Sequence, residues 1–155
     1  MNLDALLDSE LVFSDLPGKD RSDILRGLSG KLEEMGAVPD SDELYRKLLE
    51  REELGSTAVG KGVAIPHCKL SKLDKVVVAV GLAPAGVTFE TPDSEPVRLF
   101  FLVASPEASP GAHLQSLAAI SKWLKSGDNL ERIHRATTKD DLYACLSEHT
   151  GGGSE

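Results

Sequence analysis

The side chain best placed for chemistry in this sequence is a histidine, His67, in the run from Arg51 to Leu70, REELGSTAVGKGVAIPHCKL. Pro66 precedes it, and proline fixes its own φ, donates no backbone hydrogen bond and biases the residue before it towards extended geometry. Gly60 and Gly62 lie just upstream and give the backbone freedom there. A nucleophile must be held in line with the group that it attacks. The stretch therefore predicts a stiffly presented His67 that is suited to covalent chemistry.

A second histidine, His113, is the best-placed partner for His67, because it starts a predicted helix that follows a predicted buried strand. Loops that leave such strands often open onto the same edge of a sheet as other functional loops. Free N–H groups at a helix N-terminus favour a nearby anion and a neutral imidazole. The residues alone leave an alternative open, namely that each histidine is an ordinary core or surface residue, since isolated histidines are weak signals.

A nucleotide-binding loop and a serine-hydrolase site are both disfavoured. The run from Gly55 to Lys61 spells G-x-x-x-x-G-K. A phosphate-binding loop continues with serine or threonine and runs from a strand into a helix, whereas here Gly62 follows and the predicted order is reversed. The strained turn of a hydrolase has the pattern G-x-S-x-G, and neither Ser56 nor Ser105 lies in one.

A metal site is also disfavoured. His67 and Cys68 are adjacent, so in an extended segment their side chains would point in opposite directions. The sequence has no C-x-x-C or H-x-x-x-H pair of the kind that binds zinc. The remaining histidines, His134 and His149, lie at charged helix ends and are predicted to be solvated.

Helical and extended patterns alternate along the chain, which favours a mixed α/β domain. Helices are predicted over residues 21–35, 41–54 and 112–126, with two shorter ones beginning near 128 and 138. Strands are predicted over residues 63–65, 76–82 and 97–104, with a short strand and a loop over 86–96. We expect one domain over residues 1–149 and a disordered tail, GGGSE in its last five residues, over 150–155.

The composition limits the class of protein. The chain has 155 residues, 41% of them apolar and 27% charged, and a formal net charge of −8, so it is long enough for one domain with a real core. No basic run could follow a nucleic-acid backbone. The longest apolar run, 76–87, contains proline and glycine and is too short to span a membrane. With no secretory signal and only Cys68 and Cys145 as cysteines, a cytoplasmic location is expected.

Two segments carry a family resemblance. STAVGKGVAIPHCKL, residues 56–70, resembles the active-site signature S-T-G-[IV]-G-x-G-[IV]-A-[IV]-P-H of the fructose/mannitol-type IIA proteins of the bacterial phosphotransferase system. HLQSLAAISKWL, residues 113–124, resembles the second histidine segment of that family, H-L-x-x-L-x-x-[IL]-x-x-x-L. The likeness extends over about residues 3–148, and SEPVRLFFLVASP falls where the family has a buried strand. The two histidine segments together are specific, whereas either alone is much less so.

The resemblance implies a fold and a set of site residues. The fold is an α/β domain, a mixed sheet flanked by helices. His67 matches the histidine that is phosphorylated on its Nε2 (tele) nitrogen, His113 matches the second active-site histidine, and Arg51 matches an arginine near them. Ala58 and Cys68 stand where glycine is common, and Cys68 is additionally a candidate oxidation site.

The resemblance also implies the chemistry. Neutral His67 would accept a phosphoryl group from a phosphohistidine of the phosphocarrier HPr or a paralogue, with no metal, nucleotide or other cofactor. His113 would donate a hydrogen bond to the phosphoryl oxygens, Arg51 would supply a charge or docking contact, and N–H groups near Gly60 or Gly62 could add to the stabilisation. The site should be shallow, open and ringed by apolar residues that a partner covers.

Three functions remain open at the level of sequence. A nitrogen-branch regulatory IIA is favoured, in which phosphorylation controls binding to other proteins. The alternative within the family is a sugar-transport IIA that passes the phosphoryl group to a IIB cysteine. The third is a protein that binds partners without being phosphorylated, against which the presence of both histidines and the arginine argues.

Overall fold

The computed structural model describes residues 2–147. The predicted tail over 150–155 and the last two residues of the predicted domain, which include His149, therefore lie outside the described residues. Helices in the described part are α1 (Leu3–Leu6), α2 (Arg21–Glu34), α3 (Ser41–Glu53), α4 (Pro110–Lys125), α5 (Asn129–His134) and α6 (Lys139–Ser147), with a 3₁₀ turn at Ser9–Leu11. Strands are β1 (Val12–Phe13), β2 (Ala58–Gly60), β3 (Val63–Ala64), β4 (His67–Leu70), β5 (Val77–Val87) and β6 (Val97–Pro106).

Strand β6 is the centre of a mixed sheet. The long strand β5 pairs with it in antiparallel fashion along one edge, and β1 pairs in parallel with the outer edge of β5. Along its other edge β6 pairs in parallel first with β3 and then with β4, and β2 adds to β3 in antiparallel orientation. One strand thus aligns two separate short strands, and the break between them falls immediately before His67.

Helices cover both faces of the sheet, so the strands are buried and read as near-continuous apolar runs. Alternate residues of β6 face opposite layers, as the period of two in a strand requires. One face packs against α2 and α3, with a core that includes Leu25, Leu28, Leu44, Leu48, Phe100 and Leu102. The other face packs against α1, α4, α5 and α6, with a core that includes Ile120, Trp123, Ile133, Phe101 and Val103.

The predicted fold class is confirmed, and so are the main helices. Asp20 and Asp40 cap α2 and α3 with their carboxylates. The predicted separation of the 76–82 strand from a short strand within 86–96 is wrong, because β5 runs on to Val87 across an irregular register between Leu82 and Val87. The loop predicted in 86–96 lies between β5 and β6. Pro84 is exposed in that irregular stretch, where a missing N–H costs no ladder bond. None of the helices in residues 2–147 has both the length and the apolar character needed to cross a membrane.

Candidate active site

The chain is fixed in space just before His67. Pro66 has no N–H, so the ladder with β6 is interrupted between β3 and β4. The flanking groups are nevertheless paired: the Ile65 N–H donates to the Thr57 carbonyl at 3.0 Å, and the Val103 N–H donates to the Pro66 carbonyl at 2.9 Å. His67 then stands opposite Val103 as the first residue of β4. The predicted stiff presentation therefore comes from a strand junction that is pinned on both sides.

The two ring nitrogens of His67 have different neighbours. Nδ1 lies 2.7 Å from the Ile65 carbonyl oxygen, which can only accept a hydrogen bond. Nε2 lies 3.3 Å from Nε of Arg51, which can only donate one. Both contacts are satisfied by a single arrangement, with the proton on Nδ1 and a lone pair on Nε2. The geometry thus leaves Nε2 as the ring nitrogen that carries a lone pair.

His113 lies beside His67, and its ring is held by a buried serine. The two ring centroids are 5.4 Å apart, and the ring planes are inclined by 52°. Nδ1 of His113 lies 2.7 Å from Oγ of Ser105, which has no exposed surface. Ser105 is opposite Lys69 in the β4–β6 register, so it lies two positions beyond Val103 on the same face of the sheet as His67.

The C-terminal end of α3 contributes Arg51 and a buried carboxylate. Besides its contact with His67, Arg51 donates from Nη1 to the Gly55 carbonyl at 2.7 Å. Glu52 is only 3% exposed and accepts hydrogen bonds from the Thr57 N–H, at 3.0 Å, and from the Thr57 hydroxyl. This pair ties the loop after α3 to the helix end. Because the Thr57 carbonyl accepts from Ile65, the same pair connects α3 to the His67 strand junction.

Both histidines are biased towards the neutral form. Burial lowers the pKa of His67 below its ordinary value of 6.5, the hydrogen bond to Ile65 opposes this, and the charge of Arg51 adds to the lowering. Burial also lowers the pKa of His113, and the neighbouring His67 and Lys69 charges act in the same direction. A neutral His67 at neutral pH is the form that can act as a nucleophile.

The histidines open onto a shallow depression of about 510 Å³. Two leucines at its rim are unusually exposed for apolar residues, Leu54 at 86% and Leu114 at 67%. Leu117 is a third apolar lining residue. The remaining lining is charged or thiol-bearing, from Lys47, Glu50, Arg51, Cys68, Lys69 and Glu107. An open depression with an exposed apolar rim matches the expected shape of a docking site.

Cys68 does not behave as the candidate oxidation site that the sequence indicated. It is 8% exposed and packs into the core on the α2/α3 face, the side of β4 opposite to His67. Burial raises the pKa of its thiol to about 12. Because oxidation requires thiolate character and access, this thiol is poorly suited to it.

The glycines upstream of His67 lie in another part of the surface. Gly60 and Lys61 line a different cavity of about 810 Å³, together with His134. The Lys61 N–H is already occupied by the Asp93 carboxylate at 2.8 Å. Gly62 turns the hairpin, with a φ of 79°, and its carbonyl accepts hydrogen bonds from the start of β6. The contacts of this hairpin give no support to the expectation that N–H groups near Gly60 or Gly62 assist at His67, which stays a prediction.

The positions of the histidine, cysteine and carboxylate side chains decide whether a metal ion could be bound. In the described part of the chain, residues 2–147, no group of three or more His, Cys, Asp or Glu side chains is arranged to hold a metal ion. His67 and Cys68 point to opposite faces of β4, as expected for neighbours in a strand. His134 is exposed at the end of α5, as predicted.

The structure brings His67, His113 and Arg51 together and adds two residues that sequence reasoning missed. Ser105 was considered only as a nucleophile, although it follows Phe101 and Val103 at strand spacing, which places it on their face of β6. Glu52 follows Leu44 and Leu48 at intervals of four and so falls in the buried stripe of α3. In both cases the available signal was a polar residue at a position where the spacing of its apolar neighbours predicts burial.

Comparisons with known proteins agree on the class of protein that this fold and site define. Residues 5–149 match the family model described as phosphoenolpyruvate-dependent sugar phosphotransferase system, EIIA 2. The chain belongs to this family of IIA proteins, whose members are phosphoryl carriers.

Individual relatives come from both branches of the family. A nitrogen regulatory protein of Bradyrhizobium diazoefficiens is 33% identical, with 95% of each chain covered. A phosphotransferase-system fructose-specific EIIA component of Haloferax volcanii is 32% identical, with 90% of each chain covered. Among solved structures, nitrogen regulatory protein IIA-Ntr of Neisseria meningitidis has a TM-score of 0.83 at 25% identity, covering 93% of this chain and 98% of that one.

Proposed function

We propose that this chain is a nitrogen-branch regulatory IIA that accepts a phosphoryl group on Nε2 of His67 from the phosphocarrier HPr or a paralogue. The observation that carries the proposal is the pair of contacts on the His67 ring. The Ile65 carbonyl requires the proton on Nδ1, and Arg51 faces the lone pair on Nε2. One nitrogen is thus available for phosphorylation, and its identity is fixed by the backbone.

The bonds that form and break in the transfer involve only the two histidines that exchange the phosphoryl group. The lone pair of His67 Nε2 forms the new N–P bond, while the N–P bond of the donor phosphohistidine breaks and its electron pair returns to the donor ring. The Nδ1 proton of His67 stays on its ring, directed at Ile65. Negative charge resides on the three phosphoryl oxygens throughout, so fixed hydrogen-bond donors and cations nearby provide the stabilisation.

His113 and Arg51 are the groups that supply this stabilisation. His113 lies with its ring centroid 5.4 Å from that of His67, close enough for a phosphoryl group to fit between a ring nitrogen and Nε2. Arg51 starts in contact with Nε2 and has its guanidinium anchored on Gly55, so a small side-chain movement lets it meet the incoming oxygens.

The depression around His67 is the docking face for the donor. Leu54 at the end of α3 and Leu114 near the start of α4 both line it and remain largely exposed. Lys47 and Lys69 supply positive charge near the nucleophile in a chain whose net charge is −8. A partner that covers the two leucines would exclude water from the transfer.

The regulatory role is supported by a sequence relative and by a solved structure. The Bradyrhizobium relative and the Neisseria structure are both named nitrogen regulatory proteins, and each matches this chain over nearly its whole length. Phosphorylation adds between about one and a half and two negative charges at the centre of the docking face, which would switch the binding of an acidic or apolar target. Sugar transport is the second candidate, supported by the fructose-specific relative, and it requires transfer onward to a IIB cysteine.

The deciding experiment measures intact mass after incubation with phosphoenolpyruvate, enzyme I and the HPr-type carrier of the same organism. We expect one added phosphoryl group on wild type and none on His67→Ala, labile in acid and stable in base. Phosphoramidate, a small phosphoryl donor, is the control for a mismatched carrier. Failure with both donors would leave a protein that binds without being phosphorylated, and transfer onward to a IIB protein would favour transport over regulation.

A further inference from the structure

Ser105 lies behind the second active-site histidine and has no part in the family signature described above. Its side chain has no exposed surface, and its Oγ is 2.7 Å from Nδ1 of His113. It is held by the central strand β6, opposite Lys69 of β4, so its position relative to His67 is set by the sheet register. A buried polar group on a central strand that is paired along both edges is well placed to orient a neighbour.

The hydrogen bond between Ser105 and His113 can be formed in two ways. Either the serine hydroxyl donates to Nδ1, or Nδ1–H donates to the serine oxygen. Within residues 2–147, His113 is the hydrogen-bond partner that the structure gives the Ser105 hydroxyl. If Nδ1 donated, the hydroxyl hydrogen would be buried without an acceptor, which is unfavourable. The favoured arrangement has Ser105 donating.

We propose that Ser105 is a positioning residue whose hydroxyl donates to Nδ1 of His113 and thereby fixes the proton of that ring on Nε2. The inference rests on the proposed phosphoryl transfer at His67. His113 then offers an N–H to the phosphoryl oxygens. In the other tautomer it would offer a lone pair, which repels them.

Ser105 can select a tautomer only if the ring of His113 is neutral, because a protonated ring carries a hydrogen on both nitrogens. His113 is 6% exposed. Burial holds its pKa below the ordinary 6.5, so at neutral pH the tautomer decides whether Nε2 donates or accepts. The two histidines then have opposite assignments, since a carbonyl acceptor places the His67 proton on Nδ1. One ring presents a lone pair to the phosphorus and the other presents an N–H to its oxygens.

The test reads the tautomer directly. Long-range ¹H–¹⁵N spectra of the ¹⁵N-labelled, unphosphorylated full chain at neutral pH distinguish a protonated from an unprotonated ring nitrogen. For wild type we expect His113 with its proton on Nε2 and His67 with its proton on Nδ1. In Ser105→Ala we expect His113 to become a mixture of tautomers while His67 is unchanged. Because no donor is present, the result stands even if the chain proves not to accept a phosphoryl group.

Kinetics provides the second readout. Ser105→Ala should lower the kcat/KM of phosphorylation by about tenfold, less than the roughly hundredfold loss expected for His113→Ala, which removes the donor itself. Ser105→Thr keeps the hydroxyl and should restore both the tautomer and the rate. Ser116→Ala is the matched control, because Ser116 is also fully buried but donates to the Ala112 carbonyl on the same helix as His113.

Either of two results would overturn the proposal. The first is a wild-type spectrum with the His113 proton on Nδ1, which needs no variant and cannot be confused with misfolding. The second is a Ser105→Ala protein whose His113 tautomer and phosphorylation rate both equal those of wild type.

Discussion

Arg51 and His67 meet through Nε of the guanidinium and Nε2 of the imidazole, 3.3 Å apart. The cation thus covers the one nitrogen of His67 that carries a lone pair, while the other nitrogen is held by the backbone. In the unphosphorylated protein the arginine occupies the position that a phosphoryl group would take. Phosphorylation of His67 as proposed would therefore require the Arg51 side chain to move away from Nε2.

Replacing Arg51 tests this relationship. Arg51→Ala should lower the kcat of phosphorylation by about a hundredfold, because a charge that stabilises the phosphoryl oxygens is lost. Arg51→Lys should recover only part of the rate, since a lysine cannot span His67 and Gly55 with a fork of donors. Arg46→Ala is the control, because Arg46 lies on the same helix in an exposed ion pair with Glu50. Quenched-flow mixing followed by mass spectrometry gives the phosphorylation rates. If the rate of Arg51→Ala equalled that of Arg46→Ala, Arg51 would not stabilise the phosphoryl oxygens.

The lowered pKa values of the two histidines predict a pH dependence of stability. The unfolded chain takes up protons at His67 and His113 as the pH falls through 6.5, whereas the folded protein does so only at lower pH. Stability should therefore fall as the pH drops through this window, and level off once the folded histidines are protonated too. Urea unfolding at a series of pH values measures it. A double variant with glutamine at both positions should show a flatter dependence of stability on pH. If its slope equalled that of wild type, the pKa values of His67 and His113 would not be lowered in the folded protein.

The exposed leucines predict a docking defect that leaves the chemistry intact. Leu114→Asp should raise KM for the phosphorylated carrier about tenfold with little change in kcat, as expected for the loss of a contact that is equally strong before and during transfer. Phosphorylation by phosphoramidate needs no docking and should be unaffected. Met35→Asp is the matched control, because Met35 is also an exposed apolar residue, 44% accessible, but lies outside the depression. A loss with phosphoramidate as well would show that Leu114→Asp had damaged the site itself.

The buried pair of Glu52 and Thr57 predicts a coupled loss of stability and activity. Glu52→Ala leaves the Thr57 N–H without its partner and should destabilise the fold by about 1–3 kcal/mol. The loop between α3 and the His67 junction should loosen, which lowers the phosphorylation rate. Glu53→Ala, an exposed neighbour, should stay within about 0.5 kcal/mol of wild type. Chemical unfolding gives the free energy of unfolding of both variants. If the two variants were equally stable, the buried contact of Glu52 with Thr57 would not stabilise the fold.

The helices were readable from sequence because their signals are local. The capping aspartates Asp20 and Asp40 and the apolar spacing that follows them are within one or two turns of each other. Strand β3 lies within the predicted 63–65 strand, but β1 and β2 are two and three residues long, too short to show a period. They are defined by their pairing, β1 with the edge of β5 and β2 with β3. Strand β4 alternates in burial but has only four residues.

The site could be predicted from the sequence only in part, because it too depends on contacts between residues that are distant along the chain. The motifs pointed to His67 and His113, and the resemblance added Arg51, yet the atoms that each presents depend on tertiary partners. The tautomer of His67 depends on a carbonyl two residues earlier, which the sequence does not position. The roles of Ser105 and Glu52 depend on what packs against them, since a buried serine or glutamate has no pattern of its own.

The hydrogen bond from Nδ1 of His67 to the Ile65 carbonyl has a consequence for the second half of the proposed cycle. A phosphorylated ring that keeps its Nδ1 proton is a better leaving group, because it departs as a neutral imidazole. The acceptor is a main-chain oxygen, so no side-chain substitution removes it directly. The same contact that selects the attacking nitrogen thereby keeps the bound phosphoryl group transferable, which is what separates a carrier from a protein that is merely modified.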